Sequence, residues 1–233
     1  MTGASPDAPS SPSGVPAPRL VLATHNAHKL TELRAILLPA VPGLDPATVV
    51  GAGDAGAPAP VEDGLTFAEN ALLKARALAA FTGLPAVADD SGLAVDVLGG
   101  APGIFSARWA GRHGDDRANL ELLLAQLADI APAHRGAHFA CAAALVTPDG
   151  EEHVEHGYLR GTLATQPRGT NGFGYDPILV PSGQDPAGPE RSCAELSAEE
   201  KNAISHRGQA FRALVPAIAR VLGRPPAGAA PTR

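Results

Sequence analysis

Arg19-Leu-Val-Leu-Ala-Thr-His-Asn-Ala-His-Lys-Leu-Thr-Glu-Leu-Arg-Ala-Ile-Leu-Leu38 changes character twice. Residues 19–23 are a short apolar run of the kind that makes a buried strand, and Thr24-His-Asn-Ala-His-Lys29 is polar. Leu30, Leu33 and Leu37 then recur at helical spacing, with Glu32 and Arg34 on the other side. A strand that runs through a polar turn into a helix is the building unit of an α/β fold. Working outward, Thr66-Phe-Ala-Glu69 has the spacing of a capping box and opens a second helix through Leu73, Leu78 and Phe81 that Gly83 can stop. Pro85-Ala-Val-Ala88 predicts a second buried strand, ended by Asp89-Asp-Ser-Gly92. Gly99-Gly-Ala-Pro-Gly103 is a turn or loop, since its glycines and proline break either regular element. A helix is expected over residues 115–130, with Leu120, Leu124 and Leu127 on one face. Residues 137–146 and 152–162 flank Thr147-Pro-Asp-Gly150 and read as a β-hairpin. Early alternation of strand and helix followed by a late hairpin predicts an α/β domain on a mixed sheet with flanking helices.

Composition bounds what such a domain can do. At 233 residues and 45% hydrophobic content the chain can bury the core of one sizeable domain, expected over residues 19–223. Residues 1–18 are almost entirely Ser, Pro, Gly and Ala and are expected to form a disordered tail, with residues 224–233 a second flexible end. A net charge of -6 and a pI near 5.7 argue against a nucleic-acid backbone or an anionic membrane as the main partner, while leaving room for a local basic pocket. Cys141 lies in an apolar run and reads as a buried, inert thiol, so Cys141 and Cys193 do not indicate a disulfide scaffold. With neither a basic leader preceding an apolar stretch nor an apolar run of about 18 residues, a cytoplasmic protein is expected.

The last helical stretch, residues 197–222, contains its own discontinuity. On one continuous helix Lys201 and His206 would point about 140° apart. A break near Ser205 is simpler, with Ser205 capping a helix built on Phe211, Leu214, Val215, Ile218 and Leu222. His206 and Arg207 then fall in its first turn, where free N–H groups and the helix dipole favour an anion. Pro216 should bend that helix.

Four polar clusters stand at strand ends and helix starts, where an α/β scaffold places ligand groups. Thr24 and Asn26 can donate to phosphate oxygens, the helix start adds backbone N–H groups, and Lys29 adds charge, though the glycines of a P-loop are absent. Adjacent Asp89 and Asp90 call for a compensating cation or proton and make an oxygen-rich site that suits Mg²⁺, with Glu62 a candidate third carboxylate. The alternatives are a strand-closing Asx turn for the pair and a helix-dipole role for Glu62. In Gly169-Thr-Asn-Gly-Phe-Gly-Tyr-Asp-Pro177, Phe173 or Tyr175 can face a flat ring, and Asp176 can accept from a base or order the loop. Core-facing rings in a tight turn would explain the same residues. Lys201, His206 and Arg207 make a local anion site in an acidic protein, or a solvated surface.

Taken together and in order, these motifs resemble the Ham1 or RdgB type inosine triphosphate pyrophosphatases over about residues 20–222. The resemblance is carried by Thr-x-Asn-x-x-Lys at 24–29, Glu-Asn-Ala-x-x-Lys-Ala at 69–75, Ala-Asp-Asp-Ser-Gly-Leu at 88–93 and Leu-Gly-Gly-Ala-Pro-Gly at 98–103. Gly-Phe-Gly-Tyr-Asp-Pro at 172–177 and Ala-Glu-Leu-Ser-x-Glu-Glu-Lys-Asn-x-Ile-Ser-His-Arg at 194–207 complete it. It implies an elongated two-lobed α/β subunit, a homodimer, and a cleft that takes one nucleoside triphosphate with Mg²⁺. By the same resemblance Thr24, His25, Asn26, Ala27, His28 and Lys29 hold the triphosphate, Asp90 is the general base and Ser91 contacts substrate. Phe173, Gly174, Tyr175, Asp176, Lys201, His206 and Arg207 complete the nucleotide site, and Glu62, Asp89 and Asp90 are the metal ligands. The implied reaction converts ITP, dITP and XTP to monophosphate and pyrophosphate, removing them before incorporation into DNA or RNA. Hypoxanthine and xanthine present an acceptor at position 6 where adenine presents a donor, so a fixed donor from His206, Arg207 or nearby backbone would reject ATP. The chain departs from the pattern at His25, Asn171 and Cys193 and in a Pro- and Gly-rich insertion over residues 182–189. It lacks the Ser-x-Ser-Pro-Arg-like opening of Maf-like pyrophosphatases, and Ser91 lacks the Gly-x-Ser-x-Gly elbow of a serine hydrolase.

Overall fold

The computed structural model describes residues 16–24, 27–41 and 43–223, with backbone alone at 27–29 and 32. His25 and Asn26, residues 1–15 of the expected N-terminal tail and the expected C-terminal tail lie outside the described residues. In chain order the elements are β1 (Leu20–Leu22), α1 (Ala27–Ala40), β2 (Val49–Gly51), α2 (Phe67–Thr82), β3 (Ala86–Val95) and α3 (Asp116–Gln126). They continue with β4 (Gly136–Val146), β5 (Glu152–Leu163), β6 (Leu179–Pro181), α4 (Ala198–Ile204) and α5 (His206–Leu222). The strands form one sheet in the order β2-β1-β3-β4-β5-β6. β1 pairs parallel with β2 and β3, and the remaining pairs are antiparallel, which makes the sheet mixed as expected.

Local chemistry accounts for the boundaries. Thr66 Oγ1 accepts from Glu69 N at 3.1 Å, and Glu69 answers through Leu65 N at 2.6 Å, so the expected box opens α2 with its return bond one residue early. Ser197 and Glu200 form a reciprocal box on α4, and Ser205 both ends α4 and caps α5 through Gly208 N at 3.0 Å. The break anticipated at Ser205 is therefore present. α3 stops at Gln126, short of the expected end, and it buries Leu123 rather than Leu124 alongside Leu120 and Leu127. Beyond it the guanidinium of Arg135, 1% exposed, donates to the carbonyls of Leu127, Ile130, Leu163 and Ala164 and so ties the segment after α3 to the end of β5.

Alternation along β3 sends its side chains to two different layers. Val87 joins Leu20, Leu22, Leu33, Leu37, Phe211 and Leu214 beneath α1 and α5. Ala86 and Ala88 pack with Ala142 and Ala144 against Ala71, Ala75 and Leu78 of α2, where small residues let helix and sheet approach closely. A third cluster, including Leu93, Val95, Leu123, Phe139, Tyr175 and Ile178, occupies the far half of the long strands. α5 seats on β5 at Gly157, where a Cβ would stand 2.0 Å from the carbonyl oxygen of His206. β3 does not end at Asp89 as the sequence suggested; it continues through Asp89-Asp-Ser-Gly92 to Val95. Each acidic side chain there meets a cation, which removes the cost that would otherwise stop the strand.

Candidate active site

β1 is short. It pairs with β3 only at Val21↔Ala86 and Leu22↔Val87, so beyond Val87 one edge of β3 has, among the described residues, no strand beside it and only the isolated bridge of Ala94 to Pro102, while β4 holds the other. A cleft opens at this end of β1, the place where ligands enter open α/β sheets. Two cavities flank Asp89-Asp-Ser91 there. One, of about 200 Å³, is lined by Thr24, Glu62, Lys74 and Asp89 among others. The other, of about 220 Å³, is lined by Ser91, Phe173, Asp176, Lys201, His206 and Arg207 among others. Thr24 is followed after a short interval by the first turn of α1. The side chains of Ala27, His28 and Lys29 fall outside the described residues, as do His25 and Asn26.

The two adjacent aspartates belong to different faces of the sheet. Asp89, 2% exposed, accepts from Nε of Arg207 on α5 at 3.1 Å, and the same guanidinium reaches Ser91 Oγ at 3.3 Å through Nη2. Asp90 turns toward α2, where Lys74 Nζ donates to Oδ1 at 3.0 Å and Asn70 Nδ2 to Oδ2 at 3.2 Å. Lys74 also lies 3.2 Å from Glu62, so a cation bridges two of the expected acidic residues. Burial pushes the Asp90 carboxyl above its ordinary value, and Glu62 adds to this, against the pull of Lys74 and Asn70. For Lys74 burial is the largest influence and acts downward, but Asp90, Glu62 and Asp89 together outweigh it and raise the ammonium. Among the described residues no three acidic, histidine or cysteine side chains converge on one metal position.

No role for Asn70 or Lys74 follows from the sequence alone. A signal was present, since they stand one helical turn apart within Glu69-Asn-Ala-Leu-Leu-Lys-Ala75, but nothing in the sequence placed that helix face over Asp90. Asn70 is 1% exposed and also accepts from Gly64 N at 2.8 Å, which ties the segment carrying Glu62 to the same cluster.

The glycine-rich loop sorts the two aromatics that the sequence left equivalent. Tyr175 is core: it is 5% exposed, and its hydroxyl donates to Ser106 O at 2.9 Å, kept protonated by burial. Phe173 is 65% exposed at the rim of the second cavity, with Lys201 Nζ 5.3 Å from its ring centroid. Asp176, 3% exposed, orders the loop by accepting from Phe173 N at 2.8 Å and Lys201 Nζ at 2.5 Å. Gly172 has φ +78°, and a Cβ there would fall 2.1 Å from Asp176 Oδ2, so this turn requires glycine. His206 stacks on Phe139 with centroids 5.0 Å apart. The cavity thus presents an exposed ring, cationic groups and hydroxyls within apolar walls, a surface suited to a flat, polar-edged heterocycle.

A family model described as the Ham1 family matches residues 20–217. The dITP/XTP pyrophosphatase of Streptomyces avermitilis is 69% identical over 205 residues, covering 88% of this chain and 99% of that protein. Among solved structures, a HAM1 protein from Coxiella burnetii is 39% identical with a TM-score of 0.77, covering 87% of this chain and 99% of that one. The nucleoside-triphosphatase / dITP/XTP pyrophosphatase of Mycobacterium abscessus is 51% identical with a TM-score of 0.69, covering 85% of this chain and 99% of that one.

Proposed function

We propose, from the premise that this chain belongs to the Ham1 family, that it hydrolyses dITP, ITP and XTP to the monophosphate and pyrophosphate. The observation that carries this reading is the placement of Asp90 and Glu62, bridged by Lys74, on one side of Asp89-Asp-Ser91 and a ring-sized, cation-lined cavity on the other. A nucleotide that lays its base against Phe173 extends its phosphates past Ser91 and Arg207 toward Thr24 and the first turn of α1, where Lys29 adds charge.

In the reaction a water oxygen bonds to the α-phosphorus and the bond to the bridging oxygen of the β-phosphate breaks. Asp90 takes the proton from the water. A carboxyl held above its ordinary range by burial is a better proton acceptor than a free one, and Lys74 and Asn70 fix which way its lone pairs point. Selection for a 6-oxopurine comes from donors of His206, Arg207 and adjacent backbone toward O6, which adenine would leave unpaired.

The donor set fits Mg²⁺, a hard cation that takes one or two carboxylates and completes its shell with phosphate oxygens and water. Of the three carboxylates named above, Glu62 and Asp90 meet at Lys74 and would supply the protein oxygens, while Asp89 is turned to Arg207 on the other face of the sheet; the cation would offset charge on the leaving pyrophosphate. The enzyme acts on the cytoplasmic nucleotide pool as a homodimer, which sedimentation at micromolar concentration tests. The reaction is tested by pyrophosphate release from ITP, XTP, GTP and ATP, with and without Mg²⁺. Metal-dependent release restricted to ITP and XTP is expected; equal efficiency with ATP would overturn the substrate assignment.

A further inference from the structure

Two aspartates open α3, and only one of them is needed there. Asp115 is the N-cap, accepting from Ala118 N at 3.1 Å. Asp116, the next residue, turns its carboxylate away from its own helix: Oδ2 accepts from the backbone N–H of Gly174 at 3.0 Å, in the glycine-rich loop. It also lines the cavity that Phe173 borders.

The position of that bond in the backbone decides its effect. The N–H of Gly174 belongs to the peptide that follows Phe173, and the N–H of Phe173 belongs to the peptide that precedes it. Asp116 holds the first at 3.0 Å and Asp176 the second at 2.8 Å, so carboxylates from two separate elements pin both peptide planes around one residue. With both planes held, φ and ψ of Phe173 are set and the Cα–Cβ bond has one direction. Packing cannot do this, because the ring is 65% exposed and its neighbour Gly174 has no side chain to wedge it. Tyr175 anchors the next residue to Ser106 O, in the segment that leads into α3, so loop and helix start form one unit.

We infer that Asp116 is a positioning residue for base recognition, acting through the Gly174 amide to aim Phe173 at the purine. This rests on the reading of the cavity as the base site. The role needs an acceptor oxygen at that point and not a charge, and it works only through the ring of Phe173.

The experiment compares wild type, Asp116→Ala, Asp116→Asn, Phe173→Ala and the Asp116→Ala/Phe173→Ala double variant. Pyrophosphate release from ITP and calorimetric ITP binding are both measured, with melting temperature to confirm folding. Stacking of a base on an aromatic ring sets the scale, so Asp116→Ala should raise KM and Kd about tenfold while kcat changes by less than about twofold. Asp116→Asn, which keeps a carbonyl acceptor, should restore both to within about threefold of wild type. On the Phe173→Ala background Asp116→Ala should have no further effect. Wild-type affinity in Asp116→Ala, failure of Asp116→Asn to rescue, or an undiminished effect without the Phe173 ring would each overturn the inference. Wild-type protein that binds ITP but releases no pyrophosphate would sink the hydrolysis reading alone, and wild-type protein that does not bind ITP would sink both.

Discussion

Asp89 and Asp90 are chain neighbours with opposite partners, Arg207 for one and Lys74 with Asn70 for the other. The sequence pointed to the need for compensation, because two adjacent carboxylates in an apolar strand demand it. It could not say that the compensation comes from two helices on two faces, since that depends on which side of the sheet each helix packs. Asp90→Asn keeps the volume and one acceptor but removes the proposed base, so turnover of ITP should fall by about 10²- to 10⁴-fold with little change in the calorimetric Kd. Near-normal turnover would remove Asp90 from this role. The direction of its shift gives a pH prediction as well. The base form is lost as pH falls through the raised value, so the acid limb of kcat/KM should lie above the ordinary carboxylate range near ~4 and should disappear in any residual activity of Asp90→Asn. A limb at or below ~4 would contradict the assignment.

At the scale of elements, what the sequence made legible was whatever local chemistry encodes. The Thr66 cap, the hairpin about Thr147-Pro-Asp-Gly150 and the break at Ser205 are all present, because caps and turns depend on residues within a few positions of each other. β2 and β6 went unread, being three-residue segments whose pairing partners lie far away in the chain. The end of β3 was misread for the same reason: the neighbours that allow acidic residues inside it are remote. Gly157 is a further case, an apparently ordinary strand residue whose bare Cα admits the first turn of α5. Gly157→Ala would force α5 outward and carry His206 and Arg207 with it. The expected cost is about 1–3 kcal/mol in urea unfolding, together with a higher KM for ITP. Retention of both wild-type stability and KM would show that the helix is not seated as tightly as the backbone contact requires.

Across the whole molecule, the Arg207–Asp89 pair joins the last helix to the central strand with both side chains buried, and so makes the cleft part of the core. Removing only the cation leaves a buried carboxylate without it, so Arg207→Met should destabilise the protein by about 3–5 kcal/mol, and adding Asp89→Asn should recover part of that loss. Simple additivity of the two substitutions in urea unfolding would mean that the pair is not coupled. Read by itself, the chain determined the fold class, the mixed character of the sheet, the helix break and the polar residue types that line the two cavities. Those follow from periodicity, capping and motif order, which are properties of neighbours along the chain. Only the tertiary structure decided that β3 runs through its acidic pair, that Asn70 and Lys74 cover Asp90, and that Phe173 faces the cavity while Tyr175 is buried. Each of these depends on which elements meet across the sheet, where long-range burial and charge pairing set the energies that local pattern cannot express.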